Sequence, residues 1–168
     1  MESLSQSTSE AILRRNELGH LACFSPAANR SYVMPISYRY SGGSLYFACL
    51  PGQKLAYLTE HPEGVCFEVD EVDADQTWST VLVTGTVTRP GGLEEAEQHM
   101  AAVKRVGRGP LRALFEPGSP SESSGRLVLC ALRPERISGR RDRWTARRAR
   151  LTADGASARA QLRQLRAE

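Results

Sequence analysis

The chain has 168 residues, enough for one domain with its own core and too few for a comfortable second one. Apolar residues at 40%, charged residues at 24% and a net charge of +3 are globular values that exclude a fibrous or wholly disordered chain. Met1–Glu10 is polar and lacks the basic start and apolar stretch of a secretory leader, and no run approaches the roughly 18 apolar residues of a membrane span. A cytoplasmic protein with no membrane partner is therefore expected.

Ser7 followed by Glu10 has capping-box spacing, and Ala11, Ile12, Leu13 and Leu18 form an apolar helical stripe. This predicts a first helix over 8–18, closed by Gly19 as its cap. The period then changes. Leu21–Phe24 is a short strand, and Ser31–Tyr40, rich in aromatic and β-branched residues, is a longer one. The Gly42-Gly43 turn returns it as a hairpin with Ser44–Leu50. Pro35, which has no N–H to donate, places its part of the strand at an edge, at a bulge or against something other than a strand.

After Pro51-Gly52, residues Gln53–Glu60 have helical spacing and stop before Pro62. Val65–Val69 and Trp78–Thr88 are strands, joined by an acidic loop from Asp70 to Asp75. Leu93–Val106 reads as an amphipathic helix with Glu94, Glu95 and Glu97 early and Lys104 and Arg105 late, in keeping with the helix dipole. A short helix near Leu111–Phe115, a loop over 118–125 and a last strand over Arg126–Leu132 follow. Thr152–Glu168 is rich in Ala, Arg and Gln, and reads as a frayed helical or disordered tail. About six strands in mainly hairpin order predict a mainly β fold, an antiparallel barrel with flanking helices.

Lys54 is the chemically informative residue. It sits in the first turn of a helix that follows a strand and a glycine, where unpaired N–H groups and the dipole favour an anion such as a phosphate. A solvated lysine is the plain alternative. Cys23, Cys49, Cys66 and Cys130 form no CxxC pair and no zinc spacing, so they read as buried reduced thiols. Asp70, Glu71, Asp73 and Asp75 lack the glycine and distal Glu of a calcium loop, and no metal is expected. His20, His61 and His99 accompany no nucleophile motif, so no catalytic residue is assigned. The arginines from Arg133 to Arg150 come without a recognition helix or interleaved aromatics, which disfavours nucleic acid as a partner.

The ordered set of the first helix, Gly19-His20-Leu21-Ala22, Val33–Tyr38, the Gly-Gly turn, Leu45-Tyr46-Phe47, Gly52–Leu55, His61-Pro62, Val65–Asp70 and Trp78–Gly85 resembles the FMN-binding split β-barrel. The resemblance is to the pyridoxamine 5'-phosphate oxidase-like superfamily, nearest its branch with the nitroimidazole-resistance proteins, over about residues 8–139. It implies a split-barrel domain over 1–139, with 140–168 as an Arg-rich, partly helical or disordered extension.

It also implies a homodimer with FMN between the subunits. Pro35, Ile36, Ser37 and Tyr38 would line the isoalloxazine, Phe47 and Ala48 would follow on the next strand, Gln53 and Lys54 would hold the phosphate, and Trp78 and Ser79 would close the site. The implied activity is FMN-dependent oxidoreduction of a small electrophilic or aromatic substrate, nitro compounds included, with any nicotinamide donor docking transiently. A deazaflavin in the same groove, and a non-enzymatic flavin- or haem-binding protein with His20 or His61 as haem ligand, are the alternatives. Two departures matter: the oxidase has an arginine where this chain has Gln53, and its C-terminal substrate-phosphate Arg/His motif has no evident counterpart. Pyridoxamine phosphate is therefore not the expected substrate.

Overall fold

The computed structural model describes residues 1–27, 29–91, 93–104 and 128–143. In chain order the elements are β1 (Glu2–Leu4), α1 (Gln6–Arg15), β2 (Leu18–Ser25), β3 (Arg30–Ser37), β4 (Arg39–Ser41), β5 (Ser44–Cys49), α2 (Gln53–Glu60), β6 (Val65–Val72), β7 (Thr77–Thr88), α3 (Leu93–Lys104) and β8 (Val128–Arg143). The expected helix over 111–115, the loop over 118–125 and the tail from 152 lie outside the described residues.

All strands join one antiparallel sheet in the order β3-β2-β6-β7-β8-β5-β4, with β1 pairing the far half of β8. β3 and β4 are separated in the chain by Tyr38 alone, yet they stand at opposite ends of this path. The sheet must therefore curl until its two ends meet, and it does so as a split barrel, with no ladder joining β3 to β4 or β5 among the described residues. One face of every long strand fills a single core: Leu21 from β2, Met34 and Ile36 from β3, Leu45 and Phe47 from β5, Phe67 and Val69 from β6, Val81 and Val83 from β7. The alternation along β5 and β7 is the period of two that a sheet with one buried face requires.

The sequence pattern predicts a single strand over 31–40 with 44–50 as its hairpin partner. Instead the strand breaks at Tyr38. Only Arg39–Ser41 pairs with β5, while Arg30–Ser37 turns away to pair with β2. Tyr38 is fully buried, its N–H donates to the Glu17 carbonyl at 2.9 Å and its phenol donates to the Leu13 carbonyl at 2.9 Å. Its ring meets Phe67 edge-on at 4.7 Å. Burial pushes the phenol's pKa well above its ordinary value.

The first helix starts earlier than expected. Ser5, not Ser7, is its cap, accepting the Thr8 N–H at 3.2 Å, and Asn16 rather than Gly19 ends it. Ile12 and Leu13 point into the core, and Ser9 fits against Gly139, where an added Cβ would lie 2.4 Å from the Ser9 hydroxyl. Arg15 and Asn16 both donate to the Glu71 carboxylate on β6, pinning the helix end to the sheet. Gly19 lies inside β2 because the Phe67 ring passes over it, 2.3 Å from the site of a Cβ.

β8 runs on to Arg143, past the expected end of the last strand and past residue 139, so Arg140–Arg143 belong to the sheet. A bulge accommodates Pro134: the register shifts between Thr84 and Gly85, and a Cβ on Gly85 would lie 2.0 Å from the Arg133 carbonyl oxygen. The acidic stretch is likewise more ordered than a loop. Asp70–Val72 extends β6, and the turn is confined to 73–76, with Asp75 accepting from the Thr77 N–H and hydroxyl. α3 docks on β4, β5 and β8, where Glu95 pairs with Arg133 at 2.9 Å and buried His99 meets Tyr46 edge-on at 4.8 Å. No described group pairs with His99 Nδ1, and burial holds the imidazole below its ordinary pKa against the opposing pull of Glu95.

Three outcomes are expected. Tyr38→Phe leaves the buried Leu13 carbonyl without its donor and costs about 1–2 kcal/mol in urea unfolding. Gly85→Ala sets a methyl against backbone and costs about 1–3 kcal/mol by the same measurement. The His99 contribution to stability is complete above pH 6.5 and is lost as the pH falls from there through the lower folded-state value, because only the unfolded chain takes up the proton easily. The urea midpoint of the wild type should thus fall more steeply than that of His99→Phe between about pH 7 and 5.5; parallel profiles would show that His99 does not titrate on unfolding.

Candidate functional site

Where β3 leaves the β4–β5 ladder, the barrel wall is split, with no hydrogen-bond ladder across this slot among the described residues. β4 and β5 pair as far as Arg39↔Tyr46; the same register carried two residues further would set Ser37 opposite Ala48, but β3 has already turned toward β2. Pro35, Ile36 and Ser37 thus lie along the terminal edge of β3, and Phe47 and Ala48 lie across the split on β5. Pro35 is exposed and paired only with His20, at an edge strand as its missing donor demands.

The side chains divide by face. Ile36, Tyr38 and Phe47 are buried in the core, whereas Pro35, Ser37 and Ala48 are exposed or half-buried on the other face. A flat ligand in the slot would meet Pro35, Ser37, Ala48 and the free backbone edge of β3, while Ile36, Tyr38 and Phe47 shape the wall behind.

β5 ends at Cys49, and three exposed residues, Leu50, Pro51 and Gly52, lead into α2. The predicted boundaries of this helix, Gln53–Glu60, are the observed ones. Gly52 offers no side-chain cap, so the first N–H groups of α2 remain for a ligand, and half-buried Lys54 stands in that first turn. The helix is anchored through Tyr57, whose ring meets Tyr32 of β3 at 5.6 Å and whose hydroxyl accepts from the exposed Gln53 amide at 3.0 Å.

A second cation, not foreseen from sequence, meets the last turn of α2. Arg89 follows β7, donates to Thr59 of α2, and acts with Lys54 on the Cys49 sulfur. No local spacing could reveal it, because 30 residues separate it from Thr59 in the chain.

Trp78 and Ser79 lie elsewhere. Trp78 pairs with Asp142 at the far end of β8, whereas Cys49 pairs with Val128 at its near end, so on the order of 40 Å of strand separates them. Ser79 is buried, and its hydroxyl accepts from Arg141 Nε at 3.0 Å. Beside them a cavity of about 360 Å³ is lined by Met1, Glu2, Thr77, Arg141, Asp142 and Arg143. One chain therefore does not bring all ten expected residues together.

His20 is exposed on β2 between Pro35 and Glu68, and His61 caps the C-terminus of α2. The arginines of β8 make contacts within the chain: Arg133 with Glu95, Arg140 with Ser3, Arg141 with Ser79, Arg143 with the Asp75 carbonyl.

Comparison with known proteins agrees with this architecture. A crystal structure of an FAD-binding protein from Mesorhizobium loti superposes with a TM-score of 0.69 at 28% identity, over 84% of this chain and 97% of that one. A candidate 5-nitroimidazole antibiotic resistance protein from Bacteroides thetaiotaomicron superposes with a TM-score of 0.64 at 15% identity, over 83% and 86% of the two chains, which supports the fold alone. An uncharacterized protein, RA0666, of Rhizobium meliloti is 30% identical over 82 residues, 49% of this chain and 52% of its own, so the match spans about half of each. The family model of pyridoxamine 5'-phosphate oxidase matches residues 5–141, nearly the whole of the described barrel. The chain belongs to the pyridoxamine 5'-phosphate oxidase family.

Proposed function

We propose that the protein is an oxidoreductase that holds FMN between two copies of its barrel and acts on a small electrophilic or aromatic substrate, nitro compounds included. The observation that carries this reading is the uncapped start of α2, with Lys54 in its first turn, beside a split edged by Pro35, Ser37 and Ala48. The slot offers what a flavin needs: the free backbone edge of β3 for the polar edge of the ring, and Lys54 with uncapped helix N–H groups for the phosphate.

When bound, the flavin would supply hydride or electron transfer, and the residues of this chain bind, orient and shield it. Trp78 and Ser79 cannot reach the Lys54 end of their own chain. A second copy, its β7 start laid against the first copy's slot, would bring them there. The exposed Leu18, Val33 and Leu82 on β2, β3 and β7 provide apolar surface for such a contact. A nicotinamide donor would dock transiently. FAD in place of FMN is a second reading, favoured by the Mesorhizobium loti neighbour, and would use the same phosphate end.

The visible spectrum of the purified protein, and identification of any cofactor released by heat, tests this directly. Flavin absorption with FMN released is expected, and FAD in its place would establish the second reading. Lys54→Gln should weaken flavin affinity about 10- to 100-fold in titration, as loss of a charge-assisted contact does. A colourless protein that ignores both added flavins would sink the proposal. Sedimentation of the flavin-loaded protein as a monomer would remove the shared site, and a loaded dimer that oxidises no nicotinamide donor with nitroaromatic acceptors would leave a binding protein.

A further inference from the structure

We infer that α3 is an acid-released cover of the barrel: protonation of His99 lifts this helix from the outer face of β4, β5 and β8 while the core stays folded. Leu45, Phe47 and Cys49 of β5 belong to the core, so Tyr46 and Ala48 lie on the opposite, outer face of that strand. α3 packs over this face, with β4, β5 and β8 beneath it, and His99 carries the contact. It is the one buried side chain among those described on the helix, at 4% exposure, and its ring meets Tyr46 edge-on at 4.8 Å. No described side chain of α3 belongs to the hydrophobic core. A titratable ring thus stands where a docked helix ordinarily sets an apolar one.

This environment suits the neutral ring. Nδ1 has no hydrogen-bond partner, and a protonated imidazole needs an acceptor at both nitrogens. Burial opposes the charged form most strongly, and the Arg133 guanidinium of β8 adds to it. Glu95, one turn earlier on α3, favours the proton, but its carboxylate already accepts from the Gly91 N–H at 2.8 Å and from Arg133 at 2.9 Å. β5 presents the Tyr46 ring, and β4 adds Arg39, the cross-strand partner of Tyr46, so no second carboxylate faces His99 among the described residues. The Glu95–Arg133 pair is itself largely exposed and holds the helix only weakly. Arg89-Pro90-Gly91, which leads from β7 into α3, belongs to no strand, so lifting the helix breaks no ladder.

Above pH 6.5 the free imidazole is neutral and the helix stays docked. As the pH falls from there, the released helix takes up a proton that the docked one resists, and release becomes easier by at most about 10-fold per pH unit until the docked ring also titrates. Release bares Tyr46, which shares its strand face with Ala48 at the split.

Amide hydrogen exchange of the full-length protein, read by peptide mass spectrometry and corrected for the intrinsic effect of pH on exchange, provides the test. Between about pH 7.5 and about pH 5.5, Leu93–Lys104 should lose protection several-fold, with about 10-fold as the ceiling, while β6 and β7 keep theirs. His99→Phe keeps a ring against Tyr46 but takes up no proton, and should protect Leu93–Lys104 equally at both pH values. Unchanged protection of this helix in the wild type, a loss shared equally by β6 and β7, or a pH response that survives in His99→Phe would overturn the inference. The wild-type pattern decides even if the variant folds poorly, and no readout depends on bound flavin.

Discussion

The architecture turns on Tyr38. Its backbone is the only residue between two strands that stand at opposite ends of the sheet, and its side chain is held from both sides, by the Leu13 carbonyl on α1 and by the Phe67 ring on β6. Because the break is anchored in this way, β3 is directed to β2 and β4 to β5, and the sheet closes on a core without closing its hydrogen-bond ladder. The slot is the consequence. A strand that continued unbroken through Tyr38 would have zipped 31–40 onto 44–50 and left no gap.

β8 performs the complementary task. It pairs with β7 along most of its length, with β5 at its beginning and with β1 near its end, so it spans the barrel from the α2 end to the Trp78 end. Its Pro134, tolerated by the bulge opposite Gly85, lets so long a strand bend around the core. The same length keeps the two groups of expected flavin residues apart, and this separation is the ground on which a site completed by a second copy is proposed.

Electrostatics concentrate where α2 begins. An uncapped helix start and Lys54 stand together at the exit of β5, and Arg89 meets the last turn of the same helix through Thr59.

The sequence alone determined the β character of the chain, the extents of α2 and β7 to within a residue, the restriction of Pro35 to an edge, a bulge or a non-strand neighbour, and the placement of Lys54 in a first helical turn. These follow from local chemistry: alternation, a proline with no donor, a glycine before a helix. Only the tertiary structure decided that 31–40 is two strands with different partners, that Gly19 lies under Phe67 rather than capping α1, that β8 runs to Arg143, and that Arg89 reaches α2. Each of these depends on groups distant in the chain, and a local pattern carries no record of which distant residue will fill the space beside it.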